Sequence, residues 1–192
     1  MSILPAGTRR KGTPLDEVAL LGRVAAEEME AFEVLYLTYR PRLLRFIQGM
    51  LRQRPLVDEV LDDTMMVVWR KAHTYNHSSK VSTWIFAIAY RQALKALTRP
   101  ESAPVLDPPE SASLAPEPEL ECQQRELHRQ IALALEALSP EHRAVIELTY
   151  YLGYSCREIA EIMDCPVDTV KTRMFYARRK LRALLEAREE AI

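Results

Sequence analysis

Between residues 100 and 121 the chain carries six prolines, six acidic side chains and no basic one. Proline lacks the N–H that helices and ladders need, and like charges along a backbone push it into extended shapes. Such a stretch cannot bury enough apolar surface to offset its ordering entropy, so it reads as a mobile linker. Folding must then happen on either side of it. Over all 192 residues the hydrophobic fraction is an ordinary 48%, enough for a core, and five glycines against 28% charged residues favour helices over a sandwich of strands.

Upstream of the linker, Phe32, Leu35, Tyr36, Tyr39, Leu43, Phe46, Ile47 and Met50 recur at steps of three and four, the signature of helices with one buried face. Pro41 falls inside this run and either separates two helices or bends one. After Pro55, Val57, Val60, Leu61, Thr64, Met65, Val68 and Trp69 share one side of another helix. The polar run 75–80 breaks the periodicity as a loop. A further helix follows to about Thr98, with Trp84, Ile85, Ile88, Ala89 and Leu97 available for packing. The organisation expected is a loose tail over 1–24, a first module over 25–99, the linker over 100–126 and a second module over 127–192.

The second module is marked by its helix ends. Ser139-Pro140 is an N-cap followed by proline at the first helical position, where a missing N–H is harmless. Gly153 suits a helix C-terminus. Ser155-Cys156-Arg157-Glu158 is a capping box. Asp164-Cys165 ends the helix it opens, Pro166 starts the next, and Asp168 in that first turn complements the helix dipole. With no strand-like alternation beyond a few residues, the fold class is all-α.

A short helix over about 156–163, a three-residue turn and a longer helix over about 166–187 have helix-turn-helix proportions. Val170, Met174, Ala177 and Leu181 form the packing face of the longer helix. Between Lys171 and Arg182 there are six basic side chains and no acidic one, a concentration the net charge of −1 conceals. A recognition helix sets its exposed N-terminal residues against base edges in the major groove. The base-side candidates are therefore Asp168, Thr169, Thr172, Arg173 and Tyr176. Lys171, Arg178, Arg179, Lys180 and Arg182 suit phosphates, as does Arg157 at the groove's rim.

A helix-turn-helix establishes DNA binding and little more; the first module narrows it. The segment Asp58-Glu59-Val60-Leu61-Asp62-Asp63-Thr64-Met65-Met66-Val67-Val68-Trp69-Arg70-Lys71 is followed by Tyr75-Asn76-His77-Ser78-Ser79-Lys80-Val81-Ser82-Thr83-Trp84-Ile85-Phe86-Ala87-Ile88-Ala89-Tyr90-Arg91. Together with Leu138-Ser139-Pro140-Glu141-His142-Arg143 and Glu158-Ile159-Ala160, it closely resembles the extracytoplasmic-function sigma factors of the bacterial sigma-70 superfamily. The resemblance covers about residues 25–99 and 127–186. It implies an alternative sigma factor that binds core RNA polymerase, on the clamp helices of the largest subunit and on the flap, and directs it to promoter DNA. Asp58, Glu59, Asp62, Asp63 and Trp69 would meet the polymerase; the four carboxylates suit arginines on a partner helix. Opening the −10 element requires catching an unstacked base. The resemblance gives that task to Tyr75, Asn76, His77, Ser78, Ser79 and Lys80, with Thr83, Trp84, Arg91 and Lys95 behind them. The alternative role for Trp84 is core packing against Trp69 or Ile88. The −35 element falls to the helix-turn-helix residues named above. The resemblance also implies an anti-sigma partner, and a linker threading toward the RNA exit channel. This chain departs from the family in having Asn76-His77 where Asp-Pro is common, Asp62 where glutamine is common, and Ala87 and Tyr90 where arginines are frequent.

Two rivals stand beside that reading. One is a conventional helix-turn-helix repressor or activator. The other is a metal or redox sensor, but His73, His77, His128, His142 and Cys122 show no ligand spacing, and three cysteines form no CxxC pair. Cys165 is expected as a weak helix cap, with a redox switch as its alternative. No nucleophile–base pair or phosphate-cradling glycine loop occurs, so neither catalysis nor a cofactor is expected. There is no secretory signal at the N-terminus and no uncharged apolar run near the roughly 18–20 residues of a membrane helix. The chain is expected to be soluble and cytoplasmic.

Overall fold

The computed structural model describes residues 16–51, 54–99, 131, 133–135 and 137–189. The linker expected over 100–126, Cys122 and His128 lie outside them. Every regular element among the described residues is helical: α1 (Glu17–Ala25), α2 (Met29–Met50), α3 (Arg54–Lys71), a short 3₁₀ turn (Ala72–Thr74), α4 (Val81–Leu97), α5 (Pro140–Ile146), a π turn (Glu147–Tyr151), α6 (Cys156–Met163) and α7 (Val167–Glu189).

The expected tail is shorter than residues 1–24. Asp16 caps α1, its Oδ1 accepting from the N–H groups of Val18 at 3.2 Å and Ala19 at 3.0 Å. Leu20, Leu21 and Val24 are buried against the first module. Nine residues make a weak periodic signal, and the basic Gly- and Pro-rich stretch ahead of them masks it.

Pro41 neither breaks α2 nor separates two helices. The helix runs through it, because both Pro41 and Leu37, whose carbonyl loses its intrahelical donor to the proline, are solvent-exposed. The opposite face carries Leu35, Tyr39, Leu43, Phe46, Ile47 and Met50, all buried. Val57, Val60, Leu61, Thr64, Met65 and Val68 of α3 pack beneath it, with the Thr64 hydroxyl returned to the Val60 carbonyl at 2.7 Å.

In the second module the expected caps are present. Ser139 caps α5 and Ser155 forms a reciprocal capping box with Glu158. Gly153 adopts φ +73° after the π turn, and Asp164 ends α6 in the left-handed region at φ 50°. The buried Arg143 guanidinium donates to the carbonyls of Leu135 at 3.0 Å, Leu138 at 3.2 Å and, from the first module, Gly49 at 3.2 Å.

The Arg143–Gly49 bond introduces the largest feature that sequence reasoning did not anticipate. The modules are packed on each other around one continuous core, with α6 laid along α4. Arg42 of α2 stacks on the rings of Tyr39, Phe86 and Tyr154 and donates to the Tyr154 hydroxyl at 3.2 Å. Phe86 and Tyr154 meet across the junction with ring centroids 5.3 Å apart. Arg45 covers Tyr151 at 4.1 Å. At Gly49, a Cβ would lie 2.9 Å from the Glu147 side chain, so glycine is what lets the π turn approach α2 this closely.

Candidate nucleic-acid interface

α7 divides as its sequence predicts. Val170, Met174 and Ala177 are buried, Leu181 is half-buried, and Thr172, Phe175, Tyr176, Arg178, Arg179 and Lys180 are exposed. The individual side chains are less uniform. Asp168 and Lys171, assigned to bases and phosphates respectively, pair with each other at 3.0 Å. The Thr172 hydroxyl donates to the Asp168 carbonyl at 2.8 Å. Lys180 donates to the Ala137 carbonyl at 2.7 Å, closing the preceding segment onto α7. Arg182 pairs with Glu186 at 2.8 Å, and Arg178 reaches the Met174 carbonyl at 3.4 Å. Thr169 is half-buried. Arg173 is also half-buried, with Nη1 3.7 Å from Cys165 Sγ. Arg157, at the head of α6, is exposed.

The 75–80 loop is already shaped. Asn76 Oδ1 accepts from the Ser78 N–H at 3.1 Å and the Ser78 hydroxyl at 2.7 Å, holding the turn that lets His77 sit at φ 60°. The Tyr75 hydroxyl donates to the Ser79 carbonyl at 2.5 Å. His77, Tyr75 and Trp84 form a ring series with successive centroids 4.7 and 5.7 Å apart. Trp84 packs on Tyr75, beside Ile88, and not on Trp69.

The acidic cluster of α3 is largely exposed: Asp58, Glu59 and Asp62 are exposed and Asp63 is half-buried. Glu59 is paired with Arg99. Trp69 is half-buried and turned into the first module, edge-on to Phe32 at 5.0 Å, so only part of it is offered to a partner.

The inter-module contact falls on the face of α4 beside the loop. Lys80 pairs with Glu158 of α6 at 2.7 Å. The Lys80 ammonium, helped by the backbone N–H and hydroxyl of Ser155, holds the Glu158 carboxyl down at about 2. The helical period puts Thr83, Ala87 and Tyr90 on the side of α4 that carries Phe86 to Tyr154. All three are buried, and Thr83 Oγ1 has no hydrogen-bond partner. Tyr90 lies near Arg173, Glu141 and Cys165, and burial raises its phenol above the usual range. Thr83, a candidate for DNA contact, is therefore covered by the second module, while Arg91 and Lys95 stay exposed on another face of α4.

That exposed face holds residues the sequence did not single out. Lys71, Thr74 and Gln92 join Trp84, Arg91 and Lys95 around a groove of about 400 Å³ between α3 and α4. Residues of the rival metal- or redox-sensor reading can be placed too. No group of three or more potential ligands occurs among the described residues, and Cys156 and Cys165 are free thiols, each half-buried.

Residues 35–102 match the family description "Sigma-70 region 2" and residues 128–181 match "Sigma-70, region 4". The sequence is 30% identical over 180 residues to the ECF RNA polymerase sigma factor RpoE of Cereibacter sphaeroides, covering 90% of this chain and 96% of that one. It is 29% identical to the ECF RNA polymerase sigma factor SigK of Mycolicibacterium vanbaalenii, over 87% of this chain and 88% of that one. Among solved structures, CnrH in complex with the cytosolic domain of CnrY shares the fold with a TM-score of 0.67 at 24% identity, over 88% of this chain and 97% of that one. The sigma factor RpoE in complex with the anti-sigma factor NepR from Bartonella quintana does so with a TM-score of 0.63 at 23% identity, over 82% and 98%.

Proposed function

Because this chain belongs to the extracytoplasmic-function sigma factors of bacterial RNA polymerase, we propose a division of labour among its surfaces and a conformational step between them. It is a transcription initiation factor that directs core polymerase to promoters. In our reading Asp58, Glu59, Asp62 and Asp63, with the exposed edge of Trp69, dock on the polymerase. The 75–80 loop and α4 take the −10 element, and the exposed side of α7 with Arg157 takes the −35 element. The modules correspond to residues 25–99 and 127–192, with α1 added to the first. An anti-sigma partner is supported by the sigma factor–anti-sigma complex among the fold relatives. A cytoplasmic setting fits a polymerase subunit, and no described helix is long and apolar enough to cross a membrane.

The observation that carries the conformational step is the Lys80–Glu158 pair at 2.7 Å. It ties the −10 loop to the helix-turn-helix. The two promoter elements lie roughly 25 base pairs apart, or about 85 Å of straight duplex. Two modules in contact cannot occupy both, so the packed form is the resting state and promoter binding requires separation. The orphaned Thr83 hydroxyl favours opening, since a buried hydroxyl without a partner costs about 1–3 kcal/mol.

Specific run-off transcription with purified core polymerase tests the assignment. The full chain should yield a discrete transcript, and Asp58→Lys combined with Asp62→Lys should abolish both complex and transcript without loss of helicity. A parent chain that forms no complex with core would refute it.

A further inference from the structure

Lys71, Arg91 and Lys95 converge on the α3–α4 groove with no side-chain partner among the described residues. Their mutual repulsion across a space of about 400 Å³ favours an anionic occupant. Between these cations the walls are apolar, formed by Trp84 and Ile88 of α4 and Val67 of α3. An occupant that suits the groove is therefore narrow, acidic and in part apolar.

The chain carries such a segment beside the groove. The described residues stop at Arg99, which pairs with Glu59, so the chain leaves α4 next to both helices that form the groove. Residues 104–110, Pro104-Val105-Leu106-Asp107-Pro108-Pro109-Glu110, combine two apolar side chains, two carboxylates and three prolines with no basic residue. Glu101 adds a third carboxylate ahead of them. Prolines favour an extended backbone with little entropy left to lose, which is why proline-rich segments settle in aromatic-lined grooves. From Lys95 back to Trp84 the groove follows eleven residues of α4, about 16 Å of helix. Eight residues of extended chain carry Asp107 up to about 27 Å from Arg99, enough to turn back and reach Arg91 and Lys71. The twenty-one residues from Glu110 to residue 131 still span up to about 70 Å, so the second module stays within reach in the packed form.

We propose that this groove is the docking site of the chain's own linker, with residues 104–110 as its occupant. Val105 and Leu106 lie against Trp84 and Ile88, while Glu101, Asp107 and Glu110 neutralise Lys95, Arg91 and Lys71 in that order. One exposed ion pair is weak. Tethering, however, raises the local concentration of the segment to the order of millimolar, so a few such contacts hold it. The acidic linker thereby competes from within for the cationic face of α4 in the free chain. This goes beyond the assignment of surfaces above and holds whatever that face binds once the linker leaves.

The chain has two tryptophans, so Trp69→Phe leaves Trp84 as the sole indole. Acrylamide, an uncharged quencher, then reads how far Trp84 is covered in this full-length variant. Quenching should be weak at low salt and stronger in about 1 M salt, where charges are screened beyond about 3 Å. Adding Asp107→Asn or Glu110→Gln should lower the docked-to-free ratio by about two- to fivefold each, the strength of one exposed ion pair. These substitutions fall outside every described helix, so loss of folding does not mimic the result. Lys95→Glu should undock the segment, and Glu101→Lys in the same chain should restore the protection of Trp84. Equal quenching in the parent, neutralised and charge-reversed chains at equal helicity would overturn the proposal. So would a double reversal that restores nothing. Protection that grows with protein concentration would place a second copy's segment in the groove and overturn the intramolecular assignment.

Discussion

Replacing Ala87 with arginine should open the molecule. Ala87 is 7% exposed on the face of α4 that meets the second module. In the packed form its replacement must bury a guanidinium, and overpacking alone costs roughly 1–3 kcal/mol before any desolvation of the charge. An unpaired buried charge adds several kcal/mol more. Once the modules part, the same side chain is solvated and the penalty disappears. Taking about 3 kcal/mol as a lower bound, the closed-to-open ratio falls on the order of 100-fold. Small-angle scattering reads this directly. A compact chain of 192 residues has a radius of gyration of about 16 Å, whereas two modules of about 70 residues held some 40 Å apart give about 23 Å. The variant should show the larger value with native helicity, and should bind duplex containing the −35 element more tightly in the absence of polymerase. A scattering profile superimposable on the parent's, at unchanged helicity, would refute the claim that this face holds the modules together.

Three further outcomes follow from particular side chains. Ser155→Ala removes a cap that satisfies the Glu158 N–H and should lower thermal stability by about 1 kcal/mol, read by calorimetry. Glu158 is held down at about 2 in the folded chain against an ordinary 4.5, so its contribution to the Lys80 contact is complete above about 4.5 and lost as pH falls toward 2. Acid titration followed by scattering should show opening in that window, shifted or absent in Glu158→Gln. Burial raises the Glu147 carboxyl against the opposing pull of Arg45 and Arg143, so the folded chain binds its proton more tightly than the unfolded one. Its charge therefore diminishes stability as pH rises above the ordinary carboxylate value. Glu147→Gln should flatten the rise in parent stability seen on acidifying toward pH 5 by denaturant titration, and an unchanged pH profile would contradict the assignment.

Elements whose signal is local were readable from the chain alone. The capping box at Ser155, the Ser139-Pro140 start and the stop at Asp164 depend on a few adjacent residues, so α6 falls where its residues predict, while α7 starts at Val167, one residue past the expected Pro166 start, so that Cys165 lies outside the cap position. The buried stripe of Val170, Met174 and Ala177 followed from the helical period, which also set Tyr176 and Arg179 outward. Helix α1 was missed because three buried residues in nine make too short a pattern, and the course of α2 through Pro41 depended on which face that proline took.

The candidate site was legible as a set of residue types and not as a set of free groups. Charge alone could not tell that Lys171 is occupied by Asp168 or Lys180 by the Ala137 carbonyl, because those partners are fixed by side-chain reach in three dimensions. Nor could it distinguish Ala87 and Tyr90 as part of an inter-module contact from a mere loss of arginines. Their burial depends on α6, more than 60 residues away along the chain. By itself the sequence determined a helical protein with a basic helix-turn-helix and an acidic helix upstream of it, since these are written in local pattern. That the two modules rest against each other, with Lys80 on Glu158, was decided only by tertiary packing, where distant faces find a common core.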